Sequence, residues 1–174
     1  YNRHAANVIR TRLVDLVGEQ ARAVTIQTCH SLAMRIVGAS FAARSDSVGA
    51  VDFDALLREA AALLRGDGLE PDDAEAQRET LTRGYRWILV DEYQDVGQLE
   101  YELIAAIAGR SLDDPDSRLS LFAVGDDDQN IYAFAGASVE YIRRFEADYN
   151  AKPVFLVENY RSTAHIVHAA NRII

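Results

Sequence analysis

Wound at 3.6 residues per turn, Val8, Ile9, Leu13, Leu16 and Val17 fall on one face, so Arg3 to Val17 is predicted to be an amphipathic helix that stops at Gly18. The β-branched run Ala23-Val24-Thr25-Ile26-Gln27-Thr28 predicts a short strand, and His30 to Val37 a second helix closed by Gly38. Residues 39 to 50 are small and polar. Beyond them Phe53, Leu56, Leu57, Ala60, Leu63 and Leu64 recur at helical spacing behind a cap candidate, Asp52. Gly66 to Glu79 holds Gly66, Gly68, Pro71 and six acids, and reads as an exposed acidic loop with room for a helical turn at its end; it is the best candidate for disorder.

The second half is more regular. Trp87-Ile88-Leu89-Val90, Leu119-Ser120-Leu121-Phe122-Ala123-Val124 and Val154 to Val157 are continuous apolar runs, which suit strands buried on both faces of a parallel sheet. Leu99, Leu103, Ile104 and Ile107 mark a crossover helix ending near Gly109, and Ile166, Val167, Ala170, Ile173 and Ile174 mark a last helix. Strand and helix alternate, which predicts an open, mainly parallel α/β sheet flanked by helices. There is no internal repeat and no low-complexity tract.

Composition narrows the class. At 174 residues with 49% hydrophobic and 26% charged positions, the chain fits one globular domain or a large piece of one, not a disordered tail or a collagen-like fibre. No apolar run approaches the ~20 residues a membrane-spanning helix needs. The lone Cys29 forms no internal disulfide and no Cys-rich zinc site, which points to a reducing, cytoplasmic setting. The chain starts at Tyr1 without Met or a signal-peptide pattern and ends at Ile173-Ile174 inside an apolar helical pattern, so both ends read as cut.

The net charge of −9 opposes a nucleic-acid partner until its distribution is considered. Residues 1 to 44 hold six Arg against Asp15 and Glu19, a balance of +4, so the remainder carries −13. By itself this patterning is a weak hint.

In open α/β sheets, ligands bind beyond the carboxyl ends of the strands, where this chain places its acids. The Trp87 run exits into Asp91-Glu92-Tyr93-Gln94-Asp95, and the Leu119 run into Gly125-Asp126-Asp127-Asp128-Gln129. Carboxylates converging on one sheet edge repel one another unless protons or a cation intervene, and Mg²⁺ with substrate phosphates is the usual solution. Asp after a buried strand followed by Glu has the form of a Walker-B arrangement, in which Asp holds the metal and Glu orients or deprotonates water. The plainer alternative is a pair of acidic turns capping the next helices.

Three of these stretches resemble a known family. Asp91-Glu92-Tyr93-Gln94-Asp95, Val124-Gly125-Asp126-Asp127-Asp128-Gln129-Asn130-Ile131-Tyr132 and Asn159-Tyr160-Arg161-Ser162 resemble, in order, motifs II, III and IV of the UvrD/Rep family of superfamily 1 DNA helicases. Thr28-Cys29-His30-Ser31 is similar to motif Ib, and Tyr1-Asn2-Arg3-His4-Ala5-Ala6 to the latter part of motif Ia. The resemblance implies a RecA-like (P-loop NTPase type) sheet, ATP and Mg²⁺ as cofactors, and 3′ to 5′ movement on single-stranded DNA and duplex junctions, in a setting such as DNA repair. It implies that Asp91 and Glu92 serve the metal, with Glu92 also activating the attacking water. Gln129 would contact the γ-phosphate, Arg161 would act as an arginine finger, and Tyr160 would stack on adenine.

For DNA, the resemblance implies contacts from Tyr1, His30, Tyr132 and Phe134. The Ile131-Tyr132-Ala133-Phe134 alternation, if extended, projects both rings to one side as a stacking platform, although aromatics at period two are more often core.

The departures are specific. Ala135 precedes Gly136 where the family usually carries Arg, and residues 38 to 84 leave no room for the family's large 1B domain. A short helical insertion with an acidic loop, residues 39–84, stands in its place. The only lysine, Lys152, follows Ala151, so the chain holds no Gly-x-x-x-x-Gly-Lys-Ser/Thr phosphate loop, which full binding of ATP and Mg²⁺ needs.

The expectation is therefore a partial domain 1A over residues 1–174, incomplete at its N-terminus, in partnership with the remaining helicase domains of its parent chain. Alone it is expected to be inactive as an ATPase and prone to self-associate through an exposed sheet edge. Two alternatives remain: a catalytically inactive module that binds single-stranded DNA or a partner, and a two-metal phosphatase or nuclease using both acidic clusters. His165 and His168 stand three apart without a third ligand and read as surface residues, and Cys29 as a small half-buried residue.

Overall fold

The computed structural model describes residues 3–38 and 52–173. Backbone packing divides the chain into two units, Tyr1–Ile88 with Gln98–Leu121, and Leu89–Gly97 with Phe122–Ile174.

In the first unit, α1 (Arg3–Val17) forms where the apolar stripe predicts it and is followed by a 3₁₀ turn at Gly18–Ala23. The next helix, α2 (Cys29–Ile36), begins at Thr28, whose hydroxyl accepts from Ser31 N at 3.2 Å and satisfies a free helix-end donor. In the same way Asp52 caps α3 (Phe53–Arg65), accepting from Ala55 N at 2.9 Å. Gly66 ends α3 in the left-handed region at φ 71°, and a Cβ there would lie 2.2 Å from the Ala74 Cβ, so both conformation and space require glycine.

Residues Pro71–Thr82 form a full helix, α4, which corrects the acidic loop expected at Gly66 to Glu79. Pro at the first position and Asp72 and Asp73 in the first turn are helix-starting signals, because the proline lacks only a donor that would be orphaned and the acids face the positive helix end. Helix α5 (Gln98–Ala108) completes the unit. Ala33 and Ile36 from α2, Leu56, Leu57, Ala60, Ala61 and Leu64 from α3, and Leu103, Ala106 and Ile107 from α5 form its core. At the end of α5, the buried Arg78 guanidinium donates to Ala106 O at 2.6 Å and Ile107 O at 2.9 Å, adding side-chain donors to carbonyls of the last helical turn, of which Ala106 O also accepts from Gly109 N at 3.2 Å.

The sheet is small. β1 (Trp87–Val90) and β2 (Ser120–Ala123) pair in parallel, with Ser120 N donating to Arg86 O at 3.1 Å and Val124 N to Val90 O at 2.9 Å at the same offset. The predicted α/β class and parallel pairing hold, but burial on both faces does not. Ile88 packs against the core, whereas Trp87 and Leu89 on the opposite face are 70% and 72% exposed, and Phe122 is exposed as well.

In the second unit, α6 (Glu140–Tyr149) lays Phe145 edge-on against the fully buried Tyr93 ring at 5.1 Å, with Tyr149 beyond it at 4.9 Å. The short α7 (Ala164–Ala170) takes in Ile166, Val167 and Ala170 of the predicted last helix but ends before Ile173, and Ile174 lies outside the described residues.

Two predicted strands are absent. Residues 24–28 and 154–157 have no regular structure, and Val154, Phe155, Leu156 and Val157 are all exposed. Strand propensity is realised through cross-strand neighbours, and neither segment has one among the described residues. At Ile26 the backbone oxygen instead accepts from the Arg10 guanidinium at 2.9 Å. No described helix is long and apolar enough to cross a membrane.

Candidate active site

β1 ends at Val90 and the chain turns at once. Asp91 and Glu92 are exposed there, and neither carboxylate joins an ion pair among the described residues. Glu92 adopts φ 53°, ψ 49°, the left-handed region that costs a non-glycine residue of order 1 kcal/mol and collects at functional sites. Asp91 Oδ1 accepts from Glu92 N at 3.1 Å, and a 3₁₀ turn at Tyr93–Asp95 follows. Tyr93 N then donates to Val124 O at 2.9 Å, which ties the β1 exit to the β2 exit.

Gln94, 2% exposed, fastens the two exits more closely. Its Nε2 donates to Glu92 Oε2 at 2.7 Å, and its Oε1 accepts from Asp126 N at 3.1 Å. Asn130 Nδ2 donates to the Gln94 backbone oxygen. Asp126 in turn accepts from Gln129 Nε2 at 2.7 Å and from Asp128 N at 3.1 Å. Glu92 and Gln129, which share no sequence neighbourhood, are thus joined through Gln94 and Asp126.

Asp126, Asp127 and Asp128 bring carboxylate oxygens within 4.8 Å of one another. Two of the three are occupied by protein donors: Asp126 as described, and Asp127 by the Arg143 guanidinium at 2.9 Å. The hydrogen bonds to Asp126 and the Arg143 pairing of Asp127 are contacts of the kind set out as the plainer alternative, an acidic turn. Asp91 and Glu92 each accept one protein hydrogen bond, and among the described residues neither pairs with a cation, so their remaining oxygens are of the hard donor type that suits a magnesium ion. Nearby, Asp95 is buried with Oδ1 unpartnered, and burial, then the Glu92 charge, pushes its carboxyl above the ordinary range.

Tyr160 and Arg161 lie on a separate turn. Asn159 Oδ1 accepts from Arg161 N at 3.0 Å and Ser162 N at 2.8 Å, and the Tyr160 hydroxyl donates to the Glu158 carboxylate, which raises the phenol above its usual value. Both side chains are exposed, and among the described residues no hydrogen bond joins them to Asp91, Glu92 or Gln129.

Of the aromatic candidates, Tyr1 lies outside the described residues. Tyr132 and Phe134 are not on an extended segment, because Ala133–Ala135 is a 3₁₀ turn, yet their ring centroids are 6.1 Å apart and Phe134 is 86% exposed. They are a surface pair rather than core. His30, in the first turn of α2, stands edge-on to Phe53 at 5.2 Å.

Cys29 is no nucleophile. Burial, then the Glu100 charge, pushes its thiol up to about 11, which leaves almost no thiolate at neutral pH. Modification by a disulfide reagent at pH 8 is expected to run at least about tenfold slower than in denaturant; equal rates would contradict this environment.

The sequence assigns roles to Asp91, Glu92, Gln129, Tyr160 and Arg161, and none to Gln94, Gly125 or Asn130. The available signal was one neutral amide inside the acidic run Asp91 to Asp95.

The sequence model of the UvrD/REP helicase N-terminal domain matches residues 39–150. The chain is 36% identical over 174 residues to the "ATP-dependent DNA helicase UvrD1" of Mycobacterium tuberculosis, covering 98% of this chain and 21% of that protein. It is 40% identical over 130 residues to the "DNA helicase II" of Escherichia coli strain K12, covering 74% of this chain and 16% of that protein. Against the "ATP-dependent DNA helicase PcrA" of Staphylococcus epidermidis it is 43% identical over 91 residues, 52% of this chain and 12% of that protein. The chain thus spans about a fifth or less of the length of these relatives. With more than half of its residues inside the family's N-terminal domain, it belongs to the UvrD/Rep helicase family.

Proposed function

We propose that the protein carrying this chain is an ATP-driven DNA helicase that translocates 3′ to 5′ on single-stranded DNA, and that this segment supplies one side of its nucleotide site and part of its DNA track. The observation that carries the reading is the hydrogen-bonded path from Glu92 through Gln94 and Asp126 to Gln129 at the ends of two adjacent parallel strands. The relatives' names, each an ATP-dependent DNA helicase or a DNA helicase, support it.

In this reading Asp91, aided by Glu92, holds Mg²⁺, which offsets charge on the β- and γ-phosphates. Glu92 takes a proton from the attacking water, and its carboxylate is held for that task by the Gln94 amide. Gln129 presents its amide to the terminal phosphate, Arg161 supplies positive charge that suits a planar, forked donor, and Tyr160 stacks on the base. The 174 residues alone contain no phosphate-loop lysine and turn over no ATP.

The test is ATP hydrolysis by the full-length protein with and without single-stranded DNA, together with unwinding of duplexes carrying a 3′ or a 5′ tail. DNA-stimulated turnover with displacement from the 3′ tail is the expected result, and absence of turnover rejects the motor.

The exposed Tyr132 and Phe134 pair favours, as a second reading, a module that binds single-stranded DNA without turnover. In both readings Tyr132→Ala/Phe134→Ala is expected to weaken oligonucleotide binding about tenfold or more, at ~1–3 kcal/mol per stacked base. Unchanged affinity by fluorescence anisotropy at fixed salt removes these rings from the DNA track.

A further inference from the structure

Gln94 is the one polar side chain at the site that is almost fully buried and bonded at both ends of its amide. Its orientation is fixed by chemistry. A backbone N–H, that of Asp126, must meet an acceptor, and the ionised Glu92 carboxylate must meet a donor, so Oε1 faces Asp126 and Nε2 faces Glu92. Reversing the amide would set oxygen against carboxylate and N–H against N–H.

Three consequences meet at this residue. Glu92 sits in a left-handed conformation, and Gln94 is the donor that holds its carboxylate in that setting. Asp126, whose side chain binds the Gln129 amide, is itself positioned by its N–H on Gln94. The Gln94 carbonyl accepts from Asn130, immediately after Gln129, so the β2 exit loop is held on both sides of Gln129.

We infer that Gln94 is a positioning residue that keeps the Glu92 carboxylate in register with the loop carrying Gln129, so that the group handling the water and the group meeting the terminal phosphate move as one. This rests on the ATPase reading given above. A displacement of Gln129 shifts Asp126, and through the Asp126 N–H and the Gln94 amide that shift reaches Glu92.

Gln94→Glu is the discriminating substitution, because it preserves shape and the acceptor for Asp126 N while turning an oxygen on Glu92. In the full-length protein at saturating single-stranded DNA, Gln94→Glu is expected to lower kcat for ATP at least about tenfold, with KM within about threefold, since misplacing a catalytic group affects the reacting state more than ground-state binding. Gln94→Met, which keeps volume and loses both bonds, is expected to show the same split.

The reciprocal variant Glu92→Gln/Gln94→Glu restores a donor opposite an acceptor. It is expected to recover the thermal midpoint lost in Gln94→Glu while remaining inactive.

A Gln94→Glu enzyme with wild-type kcat, or with its loss confined to KM, while Glu92→Gln is inactive, overturns the positioning role and leaves the ATPase reading intact. Failure of the reciprocal variant to recover the midpoint overturns the donor–acceptor pairing whether or not Gln94→Glu folds. Wild-type protein without ATP turnover overturns the ATPase reading and the role of Gln94 with it.

Discussion

Glu92→Gln in the full-length protein is expected to lower DNA-stimulated ATP turnover by at least about a hundredfold, the scale on which a positioned general base acts. The amide is isosteric and does not accept a proton at neutral pH, so the substitution removes the chemical step and spares the shape. Folding is expected to survive, because a glutamine carbonyl at position 92 still accepts from Gln94 Nε2, and the left-handed backbone at φ 53° is equally strained for either side chain. The thermal midpoint is therefore expected to stay within about 2 °C of wild type, a stability change of about 1 kcal/mol or less. ATP binding is expected to persist, since the substitution leaves the Asp91 carboxylate in place. A variant that retains more than a tenth of wild-type kcat would move the base to another residue, and Asp95, buried with its carboxyl raised, would be the next to replace.

The parts of this site that were legible in the sequence are those whose chemistry is local. Asp91 and Glu92 directly follow an apolar strand run, and their position at a strand end follows from chain order alone. The crossover helix Gln98–Ala108 was legible for a related reason: its apolar residues recur at helical spacing and it ends just before a glycine at φ 76°.

Gln94 was hidden because its role depends on Asp126, 32 residues later, and no pattern in either segment announces the other. Pro71 to Thr82 is not legible as a helix from its composition, because proline and acids mark both loops and helix starts, and only the helix register that follows separates the two. Val154 to Val157 shows the opposite failure, strong strand composition without a neighbour to pair with among the described residues. In the Ile131 to Phe134 stretch, alternation suggested an extended segment, but the chain turns at Ala133–Ala135 and brings the two rings together by a different route.

Gly125→Ala is expected to damage both stability and turnover although it adds a single methyl group. Gly125 is not in the positive-φ region, so backbone conformation does not demand glycine there; space does. A Cβ would lie 2.6 Å from Gln94 Oε1, 2.7 Å from Ile142 Cδ1 and 3.1 Å from Tyr93 N. The Ile142 methyl can rotate aside. Gln94 Oε1 retreats only by giving up the Asp126 N–H, and Tyr93 N is backbone already bonded to Val124 O. Overpacking of this kind costs about 1–3 kcal/mol, and a buried hydrogen bond lost with it about 1 kcal/mol more. At roughly 2–4 °C per kcal/mol for a domain of this size, the thermal midpoint is expected to fall by several degrees. Turnover is expected to fall with it, because the group displaced is the one that holds Glu92. The mechanism is separable from general disruption by a double-mutant cycle. In a Gln94→Ala background the obstructing oxygen is gone, so adding Gly125→Ala is expected to cost at least about 1 kcal/mol less than it does alone. Strict additivity would place the clash elsewhere and detach Gly125 from the Glu92 to Gln129 path.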